Sequence, residues 1–578
     1  MKTLTLWVLL LVMAIPAGQA QDIDIRLYEK IPMRDGIHLS ANLYFPDAEA
    51  NTHPVILIYT PYVNDEAVER GMYFAKNGYV FMTLDLRGRG NSEGVYRPFE
   101  KDGTDGYDAI EWISQQPWCN GKIGMMGGSY RGMVQWMTLK NKPEALKTIV
   151  PTAAVGPGID FPKSGGIFGN YTLQWLNFTS GRSRNDKLFR NGVFWGKKEE
   201  RKYKEHIPFQ DWDSLALGAR DPNFQTWIAH PDFDNYWQDF YPSPEDYRDF
   251  DLPILTITGY FDGDQPGAMT YYEDHMTHGR AAGTDKHYLL LGPWSHAGTR
   301  NPETELGGLQ FGVDSKLDMK RLHLEWFDWT LKDGPKPAIL RDRVVYYMMN
   351  RNQWQHAPTL ADLSNEARMY YLSSPGSEAK QLIAPGRLSD SPTKTSDTDL
   401  LINNPLDTEE APSYSGADFY TAPLPIEEKG RILYISDPLA EDTALVGRFE
   451  AGLYLSMDVP DTDLQLTLYA IDEVGATTYI AAEMLRMRYR EGLDKPKLVT
   501  PGEVFFCSFD APYLSALEIK KGSRFVLAIH AMNFSYMQKN YNSGKDVSTE
   551  SRADAKKAEI KLHHSRKYPS YLKIPLGR

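Results

Sequence analysis

Three side chains in this 578-residue sequence have the types and settings that nucleophilic acyl chemistry requires: Ser129, Asp262 and His296. A serine hydroxyl is a weak nucleophile at neutral pH. It needs a base to take its proton, and the base needs an acid to fix its tautomer. Ser129 stands in Gly127-Gly128-Ser129-Tyr130-Arg131-Gly132, between an apolar run at 122–126 and a helix-compatible stretch at 133–137. A serine among small residues at a strand-to-helix turn is the pattern of a nucleophile elbow, here spaced G-x-S-x-x-G instead of the commoner G-x-S-x-G. Such a turn strains the serine backbone, and glycine at the two preceding positions removes Cβ atoms that would collide with it. The following helix aims its first amides at the same place, so the Tyr130 N–H is placed to donate to an oxyanion.

The acid and the base follow at the ends of later apolar runs. Residues 253–259 lead into Tyr260-Phe261-Asp262-Gly263-Asp264, and residues 287–291 lead into Gly292-Pro293-Trp294-Ser295-His296. Singly, Asp262 reads as well as a turn residue and His296 as a solvated loop histidine. Together, in the order Ser, Asp, His and each after a strand-like run, they match the chain order of α/β-hydrolases. Other groups carry less. His275 and His278 lie beside Glu273 and Asp274 without a third ligand at zinc spacing, so they read as an exposed helix face and no metal site is expected. His563 and His564 are adjacent and point apart on any regular element. The loop Arg87-Gly88-Arg89-Gly90-Asn91-Ser92-Glu93-Gly94 has neither the spacing nor the following acid of a dinucleotide fingerprint, so no cofactor is expected.

The elements that must position these residues are legible as strands near 31–46, 54–59 and 79–84, with helical periodicity at 67–77 and 105–115. Strands alternating with helices imply a mostly parallel α/β sheet. At 156–249 the texture becomes aromatic and helical, which reads as a cap inserted between two parts of an α/β-hydrolase domain, 21–155 and 250–335. Beyond Gly334-Pro335 helices largely vanish, and 336–578 reads as an all-β jelly-roll sandwich. Residues 1–20 carry one positive charge, an apolar run and small residues before the cut, the pattern of a secretory signal; export to the periplasm or the extracellular space is expected, with no membrane span in the mature chain. With 63 basic against 76 acidic residues and a net charge of −13, nucleic acid is excluded as an expected partner. Cys119 and Cys507 are too few for a disulfide framework, and their spacing does not decide whether they pair. Three Asn-x-Ser/Thr tripeptides, at Asn170, Asn177 and Asn533, read as chance matches to the glycosylation pattern.

The elbow, the Thr60-Pro61-Tyr62 turn, Asp85-Leu86-Arg87-Gly88-Arg89-Gly90, Gln116-Pro117-Trp118, Tyr260-Phe261-Asp262-Gly263 and Gly292-Pro293-Trp294-Ser295-His296 together resemble the CocE/NonD hydrolases. That group includes cocaine esterases, α-amino acid ester hydrolases and glutaryl acylases, and it is allied to the X-Pro dipeptidyl-peptidases of the S15 family. The resemblance spans essentially the whole mature chain. It implies Ser129 as nucleophile, His296 as base and then acid, Asp262 as orienting carboxylate, and Tyr62 as an oxyanion donor beside the Tyr130 amide. It also implies a small ester or amide substrate, or a short peptide, handled without a cofactor; homo-oligomerisation is left open. In the α-amino acid ester hydrolases clustered carboxylates hold the substrate ammonium. Asp264 stands at one of their positions, Gln265 replaces the second, and Asp160 is a candidate third. An X-Pro exopeptidase is the competing reading within the same machinery. A non-catalytic glycan- or peptide-binding protein is the competing reading of another class, and the intact triad order argues against it.

Overall fold

The computed structural model describes residues 23–577 except 47–50, 64–66, 395–396 and 410–418. The expected signal segment, 1–20, lies outside the described residues. Alternating residues around Asp35-Gly36 form an antiparallel pair, β1 (Asp24–Pro32) and β2 (His38–Phe45). The continuous apolar runs form strands covered on both faces, which is why they do not alternate: β3 (His53–Thr60), β4 (Val80–Asp85), β5 (Cys119–Ser129), β6 (Leu146–Ala154), β7 (Ile254–Phe261) and β8 (His287–Ser295). Two further strands, β9 (Val344–Met348) and β10 (Gln353–Ala357), complete a ten-stranded sheet in the order β1-β2-β4-β3-β5-β6-β7-β8-β9-β10. It is parallel from β4 through β9.

The last two strands depart from the sequence expectation, which begins the β-sandwich at residue 336. β9 pairs in parallel with β8 through Leu289–Val344, Leu290–Val345 and Leu291–Tyr346, and β10 closes that edge antiparallel. The aromatic-rich helix at Met319–Lys332 therefore does not end the α/β unit. It is a crossover, and a crossover helix leaving a parallel strand returns to the sheet as another strand.

Helices α1 (Val68–Lys76), α2 (Asp102–Ser114) and α3 (Tyr130–Lys140) cover the first half of the sheet. The cap contains α4 (Tyr171–Phe178), α5 (Gly192–Glu205), α6 (Pro222–Ile228) and α7 (Pro244–Asp249). Short helices like these are marginal alone and depend on caps and packing. Asn191 and Asp221 accept hydrogen bonds from the Phe194 and Phe224 amides, and Ser243 with Asp246 forms a capping box. Packing comes from large rings: Trp212, Trp227 and Trp237 are fully buried among the cap's aromatics, which supplies apolar area that the irregular sequence does not show as runs.

Past β10 the chain forms the jelly-roll sandwich, thirteen strands in one hydrogen-bonded network. The strand Ala558–His563 shows the alternation plainly, burying Ala558, Ile560 and Leu562 while Glu559 and Lys561 face solvent. One apolar core joins the sandwich to the catalytic sheet, since Tyr260, Phe261, Met269 and Leu289 pack in the same cluster as Leu445, Leu464 and Ile529. Cys119 and Cys507 are buried free thiols. Asn170 is fully buried and its amide donates to the Ser535 carbonyl at 2.8 Å, so that glycosylation match is inaccessible.

Polar clips fasten the three parts. Gln265, at the start of α8 (Gln265–His278), donates from Nε2 to the Gly259 carbonyl at 2.9 Å and to the Leu514 carbonyl at 3.1 Å, while its Oε1 accepts from the Leu514 amide at 2.6 Å. Lys202 of the cap donates to the Met537 carbonyl of the sandwich at 3.0 Å. Gln265→Leu keeps the volume and strands the buried Leu514 amide, so it is expected to lower unfolding stability by about 1–3 kcal/mol. Denaturant titration followed by tyrosine and tryptophan fluorescence reads this directly; an unchanged midpoint would show that the clip contributes nothing.

Candidate active site

β5 delivers Ser129 to the carboxyl end of the sheet at φ 65°, ψ −130°, a backbone conformation rarely adopted by residues other than glycine. The surroundings enforce it. A Cβ at Gly128 would stand 2.7 Å from Arg300 Nη1, and one at Gly132 would stand 2.9 Å from Ala154 Cα and 3.0 Å from the Thr152 carbonyl. Gly132 is thus where α3 rests on β6, and that contact explains why the second glycine of the elbow falls one residue late. The Tyr130 side chain turns inward, donating to Asp102 Oδ2 at 2.5 Å and accepting from the Phe99 amide at 2.7 Å. Its backbone N–H remains the first amide of α3, next to Ser129.

Asp262 follows β7 and is fully buried. Its Oδ1 accepts from His296 Nδ1 at 2.8 Å and from the Asp264 amide at 3.1 Å; its Oδ2 accepts from the Thr258 hydroxyl at 2.9 Å. These contacts set the histidine tautomer and leave the Nε2 lone pair able to accept a proton. Burial pulls the His296 imidazolium down, but Asp264 and Asp262 outweigh it and hold the ring more basic than an ordinary histidine.

Asp264 is closer to the chemistry than an ammonium ligand alone would need to be. Its Oδ2 accepts from Ser129 Oγ at 3.4 Å and lies 3.5 Å from His296 Nδ1. Although it stands at the N-cap of α8, its side chain makes no cap bond. Burial, reinforced by Asp262, pushes it up to about 6 against the pull of His296 and Arg300.

Tyr62 follows β3, where its amide donates to Thr60 Oγ1 at 3.0 Å. Its ring stacks on Phe178 of the cap at 5.7 Å, and its hydroxyl accepts from Trp175 Nε1 at 3.3 Å. An indole can only donate, so the phenolic proton is left to point elsewhere. A functional residue that the sequence does not single out is Arg89, which lies in the glycine-rich loop after β4. It is fully buried, donates from Nε to the Pro61 carbonyl at 2.7 Å, and reaches the Gly181 and Ser183 carbonyls of the cap. The guanidinium therefore sets the turn that carries Tyr62. The available signal was an arginine locked between two glycines directly after a buried strand.

Ser129, Tyr130, Asp160, Asp264 and His296 line one cavity of about 360 Å³, closed by Val155, Phe161, Tyr171, Trp175, Gly263 and Tyr513. Asp160 accepts from the Gly156 amide at 2.8 Å and the Gly267 amide at 2.6 Å, and burial together with Asp264 pushes it well above the usual carboxylate range. Gln265 is spent on Leu514 and does not reach this cavity. Asp262, Asp264 and His296 bring ligand-type atoms within 4.8 Å of one another. Nδ1 of His296 and both Asp262 oxygens are nonetheless engaged in hydrogen bonds, which suits acid–base work and leaves too few donors to complete a metal shell.

His275 corrects the exposed-face expectation. It is fully buried, its Nδ1 is 2.9 Å from that of His287, and burial pulls it down to about 4. Position 275 falls on the apolar stripe that α8 turns toward the sheet, and only His278 reaches solvent. His563 and His564 do point apart, toward Ser456 at 2.8 Å and toward buried Asp399 at 3.0 Å.

A mostly parallel sheet with a serine on a strained elbow and a histidine held on a buried aspartate is the architecture of the serine α/β-hydrolases. Residues 35–298 match the family model of X-Pro dipeptidyl-peptidase (S15 family), and residues 340–573 match the X-Pro dipeptidyl-peptidase C-terminal non-catalytic domain. A cocaine esterase from Rhodococcus sp. is 25% identical over 595 residues, covering 94% of this chain and 97% of its own. In fold, the chain is similar to an α-amino acid ester hydrolase (TM-score 0.82, 21% identity, 98% of this chain and 100% of the other). It is likewise similar to an aminopeptidase from a marine sediment Thaumarchaeota archaeon (TM-score 0.79, 22% identity, 96% and 97%). The chain belongs to the CocE/NonD family of serine hydrolases, built from these S15-type catalytic and C-terminal domains.

Tyr62→Phe is expected to lower kcat by roughly 10²–10³ with KM little changed, the size of losing one oxyanion donor. Arg89→Lys keeps the charge but loses the planar fork, and should reproduce that kcat-selective signature at smaller amplitude. If Arg89→Lys leaves kcat intact while Tyr62→Phe does not, the loop does not position the tyrosine.

Proposed function

We propose that this protein hydrolyses small carboxylic esters, and amides more slowly, through an acyl-enzyme on Ser129, with preference for acyl groups that carry a free α-ammonium, and that it acts after export. Export rests on the character of residues 1–20; ester hydrolysis is supported by the likeness to the cocaine esterase. The observation that carries the acyl preference is that Asp160 and Asp264 share the cavity with Ser129 and His296.

His296 Nε2 takes the Ser129 proton as Oγ bonds to the carbonyl carbon, and the carbonyl π pair moves onto oxygen. The Tyr62 hydroxyl and the Tyr130 amide receive that oxyanion. Collapse expels the leaving alkoxide or amine, which takes the proton from His296. Water repeats the sequence on the acyl-enzyme, with His296 again as base, and releases the acid. Asp262 orients the ring and stabilises the imidazolium in both halves. Asp264 has two tasks: it accepts the Ser129 hydroxyl when the site is empty, and a bound ammonium would draw that carboxylate away and release the hydroxyl to the base.

A fluorophosphonate probe is expected to label Ser129 in the native protein and nothing in Ser129→Ala. On alanine esters against N-acetylalanine esters, wild type is expected to favour the free amine at least about 10-fold in kcat/KM, one lost charge-assisted contact; Asp264→Asn should raise KM for the charged ester alone. Equal turnover of the two esters would leave a general acyl esterase, and selective cleavage of X-Pro peptides would make the exopeptidase reading the correct one.

The pH dependence has a definite sign. Activity requires neutral His296 and so rises with pH through a pKa held above the ordinary value of about 6.5. Removing the Asp264 charge takes away part of what holds the proton on, so the acidic limb of kcat/KM for the neutral ester should move to lower pH in Asp264→Asn. A limb that stays in place would mean that Asp264 does not act on the base.

A further inference from the structure

Beside the catalytic cavity lies a second chamber of about 410 Å³ whose walls come mainly from the sandwich. Gly263 and Tyr513 line both spaces, so the chamber continues the catalytic cavity past the loop that carries Asp262 and Asp264. The Tyr513 hydroxyl donates to the Gly263 carbonyl at 3.4 Å, which fixes this shared wall.

The lining has an unusual composition. Phe261, Tyr420 and Tyr479 meet with ring centroids 4.6, 5.3 and 6.4 Å apart and tilted planes, so faces and edges both turn inward. Tyr513 closes the catalytic side, and Tyr536, about half exposed at 51%, stands on the solvent side. Among these rings lies a single acidic side chain of the described lining, Glu483. One of its oxygens accepts from the Ala511 amide at 3.1 Å. Arg448, the arginine that acts on it, is engaged by Glu273 at 2.5 Å, and Asp510 adds a like charge. Burial, with that neighbour, pushes Glu483 up to about 8. A half-buried carboxyl set among aromatic rings, with Arg448 near it already engaged by Glu273, is stabilised when a positively charged group enters to pair with it. Ring faces attract the same kind of guest, because their quadrupoles are negative over the plane.

The geometry points to this chamber as the subsite for the leaving group, taking alcohols or amines that carry an ammonium or quaternary ammonium head, with Glu483 and the tyrosine faces as the recognition elements. The assignment rests on the acyl-enzyme reading above. With the acyl ammonium placed at Asp160 and Asp264, the box lies directly across Gly263 and Tyr513, which line both spaces, and is placed to take the other half of the substrate. Nothing in the chemical step changes: the ester C–O bond breaks, and the departing oxygen takes the proton from His296. The subsite acts on binding, so its effect belongs in KM.

The two readings are separated by measuring binding and turnover on different proteins. In Ser129→Ala, where no turnover occurs, calorimetry with benzyltrimethylammonium should show saturable binding. Its neutral isostere neopentylbenzene should bind at least about 10-fold more weakly, the loss of one cation–π and carboxylate contact set. Glu483→Gln in the same background should weaken the cation about 10-fold and leave the isostere unchanged, and Tyr536→Ala should weaken it by a smaller factor. In the active protein, a choline ester should show a lower KM than the 3,3-dimethylbutyl ester of the same acid, with kcat alike, and Glu483→Gln should erase the difference. Absence of cation binding to Ser129→Ala, or equal loss of both ligands in Glu483→Gln, overturns the subsite whether or not esters are hydrolysed. Cation binding without ester hydrolysis would overturn the acyl-enzyme reading and leave the cation site standing.

Discussion

One residue held in an uncomfortable backbone conformation, Ser129 at φ 65° and ψ −130°, sets the terms for everything around it. Such a conformation costs on the order of 1–3 kcal/mol and persists only where its surroundings over-determine it. Here β5 is hydrogen-bonded on both sides, to β3 and β6. The helix after it is pinned by the buried Tyr130–Asp102 contact and presses its Gly132 against β6. The serine cannot relax without dislodging a central strand. The strain is thereby converted into exposure of Oγ at a fixed point, to which the loops after β3, β7 and β8 each bring one group.

Electrostatic crowding is the second constraint. Asp160, Asp262 and Asp264 converge where little water reaches, with His296 and, behind the elbow, Arg300 as the compensating charges. Burial and Asp264 push a proton onto Asp160, burial and Asp262 raise Asp264, and Asp262 itself spends its oxygens on hydrogen bonds. In such a cavity a positive charge would relieve repulsion that is otherwise absorbed by protonation, which is the physical basis of the proposed ammonium preference.

Much of this was legible in the chain. Apolar runs gave the buried parallel strands because strands covered on both faces do not alternate, and the order of Ser129, Asp262 and His296 placed each after such a run. Two kinds of feature were not legible. Strands β9 and β10 look like sandwich strands because pattern alone does not say which sheet a short apolar run joins; only the crossover logic of the preceding helix does. Arg89, Gln265 and His275 act through burial, and burial of a polar side chain leaves no periodicity to read. In the sequence they read as a glycine-rich loop residue, a replacement for a substrate-binding carboxylate and an exposed helix face, whereas contacts elsewhere in the chain decide what they do: Arg89 to the cap, Gln265 to Leu514, His275 to His287.

The Gln265–Leu514 clip has a temporal meaning as well as a mechanical one. The cavity wall at Tyr513 and the amide that steadies α8 are supplied from the loop just before the strand Ser515–Ile519, about 250 positions later in the chain. Until that segment has been synthesised and docked, the elbow can form but its pocket stays unwalled and α8 lacks its tether. Hydrolytic competence therefore arrives late in the life of each molecule.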